Sequence, residues 1–285
     1  MKTIFGFVMG VVCIFGGFVL AGGKLIALYQ PFEFMIIAGG AFGGFIIANP
    51  GTVIKDVFKS LPNLLKGPQY KKQDYMDLLA LMYSLFTKAR KEGLMSLEGD
   101  VDEPDQSELF KSYPKVMADH HALDFITDYL RLMVGGSMNP FELENLMDLE
   151  LETHHKQAHQ PGHAVGVAAE SLPGFGIVAA VMGVVITMSH MGEAPEVLGH
   201  HIAAALVGTF LGVLLCYGFV GPMGEALNHR AAENSKYLEC IKTCILATLN
   251  GYTPQIAVEF GRKALPPEVR PGFLELEEYV KQAKK

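Results

Sequence analysis

The sequence predicts an all-α polytopic membrane protein, with four transmembrane helices in two hairpins and a mostly helical cytoplasmic domain. Three observations carry that prediction. Half of the 285 residues are hydrophobic and only 19% are charged, below the roughly 25% usual in soluble domains. Four apolar runs, at 4–20, 32–48, 172–188 and 202–220, each approach the roughly 17–25 residues that cross a bilayer. The links at 21–31 and 189–201 are short enough to close hairpins, whereas a long insert separates the second run from the third. The expected order is a first transmembrane hairpin at 1–50, a cytoplasmic helical domain at 51–168, a second hairpin at 169–222 and a cytoplasmic helical tail at 223–285.

The first run begins "MKTIFGFVMGVVCIFGGFVLAGG". Its basic start and apolar centre resemble a secretory leader, but three further spans and a poor cleavage region make it a retained helix. Glycines recur at four-residue spacing: Gly6 with Gly10, Gly39 with Gly43, Gly40 with Gly44, and Gly208 with Gly212. Such spacing lets helices approach closely in lipid and points to a packed bundle or an oligomer, although glycine is also commoner in membrane helices generally.

Orientation follows from the basic residues. Lys2 precedes span one, Lys24 lies in the first link and the second link has none, while Lys55, Lys59, Lys66, Lys71 and Lys72 follow span two. Both termini and both large segments are therefore expected on the cytoplasmic side. Within the insert, "QDYMDLLALMYSLFTKARKEG" spaces Met76, Leu79, Met82, Leu85 and Phe86 as a helix that Gly93 stops. A second helix begins in "GSMNPFELENLMDLELETHHKQ", with Asn139 as cap, Pro140 first and Glu142 completing a capping box. Span four is expected to continue past Pro222 to Asn250 and Gly251, and Thr253 with Pro254 to open a further short helix.

A net charge of −7 offers no basic field for a phosphate backbone, so no nucleic acid is expected as a partner. Cys240 and Cys244 stand four apart, unlike CxxC motifs, and with Cys13 and Cys216 read as free thiols. No serine triad, phosphate loop or carboxylate dyad falls at a plausible site, so neither an enzyme nor a cofactor is expected. "ETHHKQAHQPGH" gathers His154, His155, His159 and His163. No nearby ligand set completes four-coordination, so these residues, like His120 and His121, read as a polar helix surface and no metal is expected.

The spans lack what a self-contained ion path needs. Asp, Glu, His, Lys and Arg are absent from their interiors: Glu33 starts span two, and Glu170, Glu225, His200 and His201 lie at span ends. A proton carrier normally places such a group at bilayer depth, so if this chain conducts, another polypeptide supplies it. Pro173 and Pro222 withhold backbone donors at the cytoplasmic ends of spans three and four, and Thr209 and Tyr217 offer hydroxyls on span four. Those features suit a pathway wall; they equally suit ordinary helix ends and a threonine bonded to its own backbone.

The segments "SLPGFGIVAAVMGVV", "GTFLGVLLCYGFVGP", "MDLLALMYSLFTKARKEGLMSLE" and "NGYTPQIAVEFGRKAL" resemble, in the same order and along essentially the whole chain, the MotA/PomA family of flagellar stator A subunits. The resemblance implies a multi-pass protein of the bacterial inner membrane that forms a homo-oligomer, a pentamer, around a dimer of a B subunit carrying the ion-binding aspartate. Ion flux would then turn into torque on the rotor switch protein FliG. Arg90 and Glu98 match the family's rotor-facing charged pair, with Gly99 where some relatives have a basic residue. Pro173 and Pro222 match prolines linked to coupling, and Thr209 matches a pore-lining threonine. Ala180 stands where sodium-driven relatives tend to place another threonine, which implies proton coupling, because sodium needs several oxygen ligands. The related ExbB and TolQ subunits have three spans, so the additional first hairpin favours the stator family. A secondary transporter would need midplane polar or broken helices, and a passive scaffold would leave rotation intact.

Overall fold

The computed structural model describes residues 2–136 and 138–282. Helices account for all of its regular structure among the described residues, and four of them are long and apolar enough to cross a membrane. In chain order these are α1 (Lys2–Leu20), α2 (Pro31–Ala48), α3 (Gly51–Ser60), α4 (Lys72–Glu92), α5 (Glu98–Asp102), α6 (Glu108–Lys111), α7 (Pro114–Met117), α8 (His120–Gly135), α9 (Pro140–Ser189), α10 (Pro195–Leu214), α11 (Gly221–Leu249), α12 (Pro254–Ala264) and α13 (Phe273–Gln282). Short 3-10 turns occupy Leu25–Leu28, Leu61–Lys66 and Leu94–Leu97, and a π turn, Leu215–Val220, joins α10 to α11.

The expected local signals act where the sequence places them. Gly93 ends α4 with φ +88, a conformation that costs a residue without Cβ little. The Asn139 side chain accepts from Glu142 N at 3.0 Å, and the Glu142 carboxylate accepts from Asn139 N at 3.0 Å, closing the capping box of α9. Gly251 follows α11 with φ +84, and Thr253 accepts from Ile256 N at 3.4 Å at the start of α12.

The helix opened by Asn139 and the third span are one helix. It continues through Pro161 and Pro173 to Ser189, 50 residues in all. Each proline removes one intrahelical bond, but packing keeps the path straight enough to remain helical. A Cβ on Gly162 would lie 2.9 Å from Gly224 O, and one on Gly224 would lie 3.0 Å from Gly162 O, so α9 and α11 touch backbone to backbone beside Pro161. Near Pro173, Ser171 donates its hydroxyl to Ala168 O at 2.7 Å.

The chain divides into two compact units, 1–67 with 158–230, and 68–157 with 231–285; α9 and α11 contribute to both. In the second unit the core gathers Leu78, Leu79, Leu81, Met82, Leu85 and Phe86 of α4 against Phe125, Ile126 and Tyr129 of α8 and Ile241, Cys244 and Ile245 of α11. Cys240 and Cys244 are buried free thiols, as expected. Tyr70 stacks on Tyr237 at 4.0 Å and donates its hydroxyl to Asp119, which in turn caps α8 at Ala122 N, 3.2 Å away.

The first unit buries Phe45, Val53, Val57 and Leu64 against Ala164, Val165 and Leu227, and Ile37 and Ala41 against Ala169, Leu172 and Cys216. Most large apolar side chains of α1 and α2 nevertheless face outward, among them Phe5, Val12, Met35 and Ile47, as does Leu206 of α10. Helices apolar on every side belong in a hydrocarbon solvent or against further helices.

Candidate functional site

In the first unit, α9 and α10 make a wall by backbone contact. Gly176, Ala179 and Gly183 of α9 face Ala205, Gly208 and Gly212 of α10. A Cβ on Gly212 would stand 2.7 Å from Leu172 O and 2.9 Å from Gly176 Cα; one on Gly183 would stand 2.8 Å from Ala205 Cβ. Gly208 and Gly212 thus do what their spacing predicts. Their counterparts Gly176 and Gly183 stand seven apart, a spacing that a four-residue pattern does not reveal. Gly40 receives the Phe175 ring, while Gly6, Gly10, Gly39, Gly43 and Gly44 face open space.

That contact brings several sequence candidates to one place. Ala180 and Thr209 lie at the same level, since a Cβ on Gly208 would be 3.4 Å from Ala180 N and one on Gly176 would be 3.4 Å from Thr209 Cα. Pro173 follows Leu172, whose carbonyl backs Gly212. About a quarter-turn around α10 from that seam, an uncovered stripe runs Ile202, Leu206, Thr209, Val213 and Tyr217, at intervals of three or four, with Tyr217 74% exposed. Apart from two hydroxyls, the stripe is aliphatic.

The π turn was not foreseen, and it reshapes this stripe. Gly221 N donates to Cys216 O, a five-residue bond, and Pro222 has no N–H. The carbonyl of Tyr217 therefore loses both donors that an α or a π helix would offer it. At about 100° per residue, Pro222 would otherwise lie about 140° around the helix from Tyr217; absorbing one surplus residue reduces this to about 40°. Pro222 is exposed, as are Glu225 and His229 beyond it. Its position just past the apolar run 202–220, in a helix expected to continue beyond it, was the available signal: such a proline demands a kink or a π turn.

In the second unit, Arg90 lies in the last turn of α4 and Glu98 opens α5; both are exposed. Buried Phe86 and Leu97 anchor their helices. Neither charge has a hydrogen bond or an ion pair among the described residues, whereas neighbouring charges are engaged. Lys88 pairs with Asp100 at 2.6 Å, Ser107 donates to the same carboxylate at 2.6 Å, and Arg131 bridges Asp102 and Asp128 at 2.9 Å. The helix start further favours the Glu98 carboxylate.

The histidines separate by environment. His154 lies edge-on to His121, with ring centroids 5.4 Å apart. Burial, aided by His121, holds its pKa below the usual imidazole value. His155 Nδ1 faces Ser235 at 3.1 Å, and His159 Nδ1 faces Asn228 at 3.4 Å. No three His, Cys, Asp or Glu side chains group to hold a metal among the described residues.

Comparison with known proteins adds a family context. The motility protein A N-terminal family matches residues 4–93 and the MotA/TolQ/ExbB proton channel family matches residues 118–240. Motility protein A of Escherichia coli (strain K12) is 50% identical over 284 residues, covering 100% of this chain and 96% of its own length. Among solved structures, C. jejuni MotAB superposes with a TM-score of 0.77 at 20% identity, covering 94% of this chain and 96% of that one. The flagellar MotAB stator complex of Bacillus subtilis gives a TM-score of 0.73 at 25% identity, covering 91% and 94%.

Proposed function

The chain belongs to the MotA family of motility proteins, and from that premise we propose how it works as a membrane stator subunit of the flagellar motor. With a B subunit it forms a proton channel that converts ion flux into torque. The observation that carries this reading is the α9–α10 wall. It is closely packed on one side and open on the other, and it lacks Asp, Glu, His, Lys and Arg between 172 and 188 and between 202 and 220. A wall of that kind conducts only when a partner supplies the titrating carboxylate.

In this reading five copies surround a B-subunit dimer and the open stripe of α10 faces inward. Thr209 and Tyr217 give hydroxyls to a water path, and Ala180 leaves the neighbouring level without the additional oxygen that sodium would require. Pro173 and Pro222 place weakened helix bonds where ion movement passes into movement of the second unit. That unit and both termini are cytoplasmic, and Arg90 and Glu98 engage opposite charges on FliG. Unpaired, exposed charges suit contacts that form and release repeatedly, because each is worth about 0–1 kcal/mol and is screened over about 8 Å. The domain partition at 1–50, 51–168, 169–222 and 223–285 is the functional division that goes with this topology.

Proton flux into vesicles tests the reading. Flux should require co-reconstitution with a B subunit bearing its membrane aspartate, and an aspartate-to-asparagine B subunit should abolish it. Passage of protons at the same rate through this chain alone would overturn the borrowed-carboxylate mechanism. Unchanged rotation across sodium concentrations at fixed pH is expected, and strict sodium dependence would overturn proton coupling.

A further inference from the structure

Beside Arg90, the second unit opens a cavity of about 280 Å³ lined by Phe86, Ala89, Leu94, Met133, Leu249 and Tyr252, with Arg90 itself on its edge. Its rim exposes apolar surface: Leu94 is 38% and Tyr252 46% accessible, and Tyr252 lies 5.1 Å from the Phe260 ring. Met95, next to Leu94, is 64% accessible. Side chains of this size left uncovered in a water-facing unit mark a contact surface. The one guanidinium at its edge, unengaged by any acid among the described residues, defines what fits: an apolar side chain with a carboxylate close by.

We propose that this cavity is an apolar seat for the rotor, taking one leucine-, methionine- or phenylalanine-sized side chain from a rotor helix whose carboxylate, three or four positions away, meets Arg90. The inference rests on the reading of Arg90 as a rotor contact and deepens it. A helix presents residues three and four apart on one face, so one surface helix can offer both groups together. The charge then steers the encounter, while the seated side chain, removed from water, governs how long the contact lasts. A purely ionic contact would weaken steeply with salt; a seated one would retain part of its strength.

The test uses the full stator complex with its B subunit in motile cells, counting fluorescent stator units at each motor and weighing the complex in detergent. Leu94→Ser and, independently, Tyr252→Ser should lower motor occupancy about tenfold, equivalent to about 1.4 kcal/mol, with the mass of the complex unchanged. Leu94→Met should restore it. Arg90→Glu supplies the separate reading of the charged contact. If Arg90→Glu empties the motors while both serine variants keep wild-type occupancy, the seat is wrong and the charged contact stands. If none of the three changes occupancy, the rotor reading fails and the seat with it. A lighter complex in either serine variant would place the cavity between copies of this chain and overturn the proposal.

Discussion

At the scale of single residues, the least legible feature is Arg262, whose burial no motif in the sequence signals. The structure buries it and gives it both Glu259 oxygens at 2.6 Å and Pro271 O at 2.9 Å. Bidentate geometry requires the guanidinium fork. Arg262→Met, which leaves the partly accessible Glu259 and Pro271 O without their donor, should cost about 1–3 kcal/mol, and Arg262→Lys should recover only part of that, measured by thermal unfolding of the purified complex. His154 makes a prediction about acid. Its imidazole is half-buried against His121, near His155 and Asp119, and its pKa is lowered chiefly by burial. Above about pH 6.5 folded and unfolded chains both hold it neutral and it adds no pH dependence. As pH falls through that value the unfolded chain takes a proton that the folded chain resists, so stability declines until the lower folded pKa is passed. The melting temperature should therefore fall with acidification below pH 6.5, and His154→Gln should flatten the slope; an identical slope in the variant would refute the assignment.

At the scale of elements, the capping box at Asn139, the stop at Gly93 and the cap at Thr253 were readable because each is a local hydrogen-bonding or φ requirement. The continuity of α9 and the π turn were not, because both depend on what the helix packs against. Pro161 and Pro173 are local breakers overridden by backbone contact at Gly162 and Gly224 and by the Gly176–Gly212 seam. The π turn absorbs one residue so that Tyr217 and Pro222 on one side, and Leu227 on the other, keep their places. Leu227 packs with Phe45, Val53, Val57, Ala164 and Val165. Inserting one alanine after Gly218 adds a second surplus residue that the single π turn does not absorb and turns everything beyond it by about 100°, lifting Leu227 out of that cluster. The insertion should abolish motility and yield little stable protein. Gly218→Ala should be tolerated, since its Cβ would meet only the flexible end of Leu214 at 3.2 Å. Normal swimming of the insertion variant would show that the register beyond the turn is not constrained.

At the scale of the whole molecule, the glycines sort into two classes that the sequence presents as one. Gly176, Gly183, Gly208 and Gly212 are occupied within the chain, each with backbone or Cβ atoms inside about 3 Å of an added methyl, whereas Gly6, Gly10, Gly39 and Gly43 meet nothing within 4 Å. Small residues that admit no neighbour from their own chain make sense where another helix approaches, because van der Waals packing at close range drives association in lipid. The outward Phe5, Met35 and Ile47 on the same helices add to that unsatisfied surface. Two leucine substitutions separate the classes. Gly208→Leu should prevent α9 and α10 from docking, so that little folded chain is recovered. Gly39→Leu has room in the single chain, and should leave insertion and folding intact while lowering the mass of the purified complex with its B subunit by whole subunits. Native mass spectrometry in detergent reads both outcomes. A full-mass, fully motile Gly39→Leu complex would mean that the face of α2 around Gly39 meets lipid alone, leaving the assembly to be built on other surfaces of the first unit.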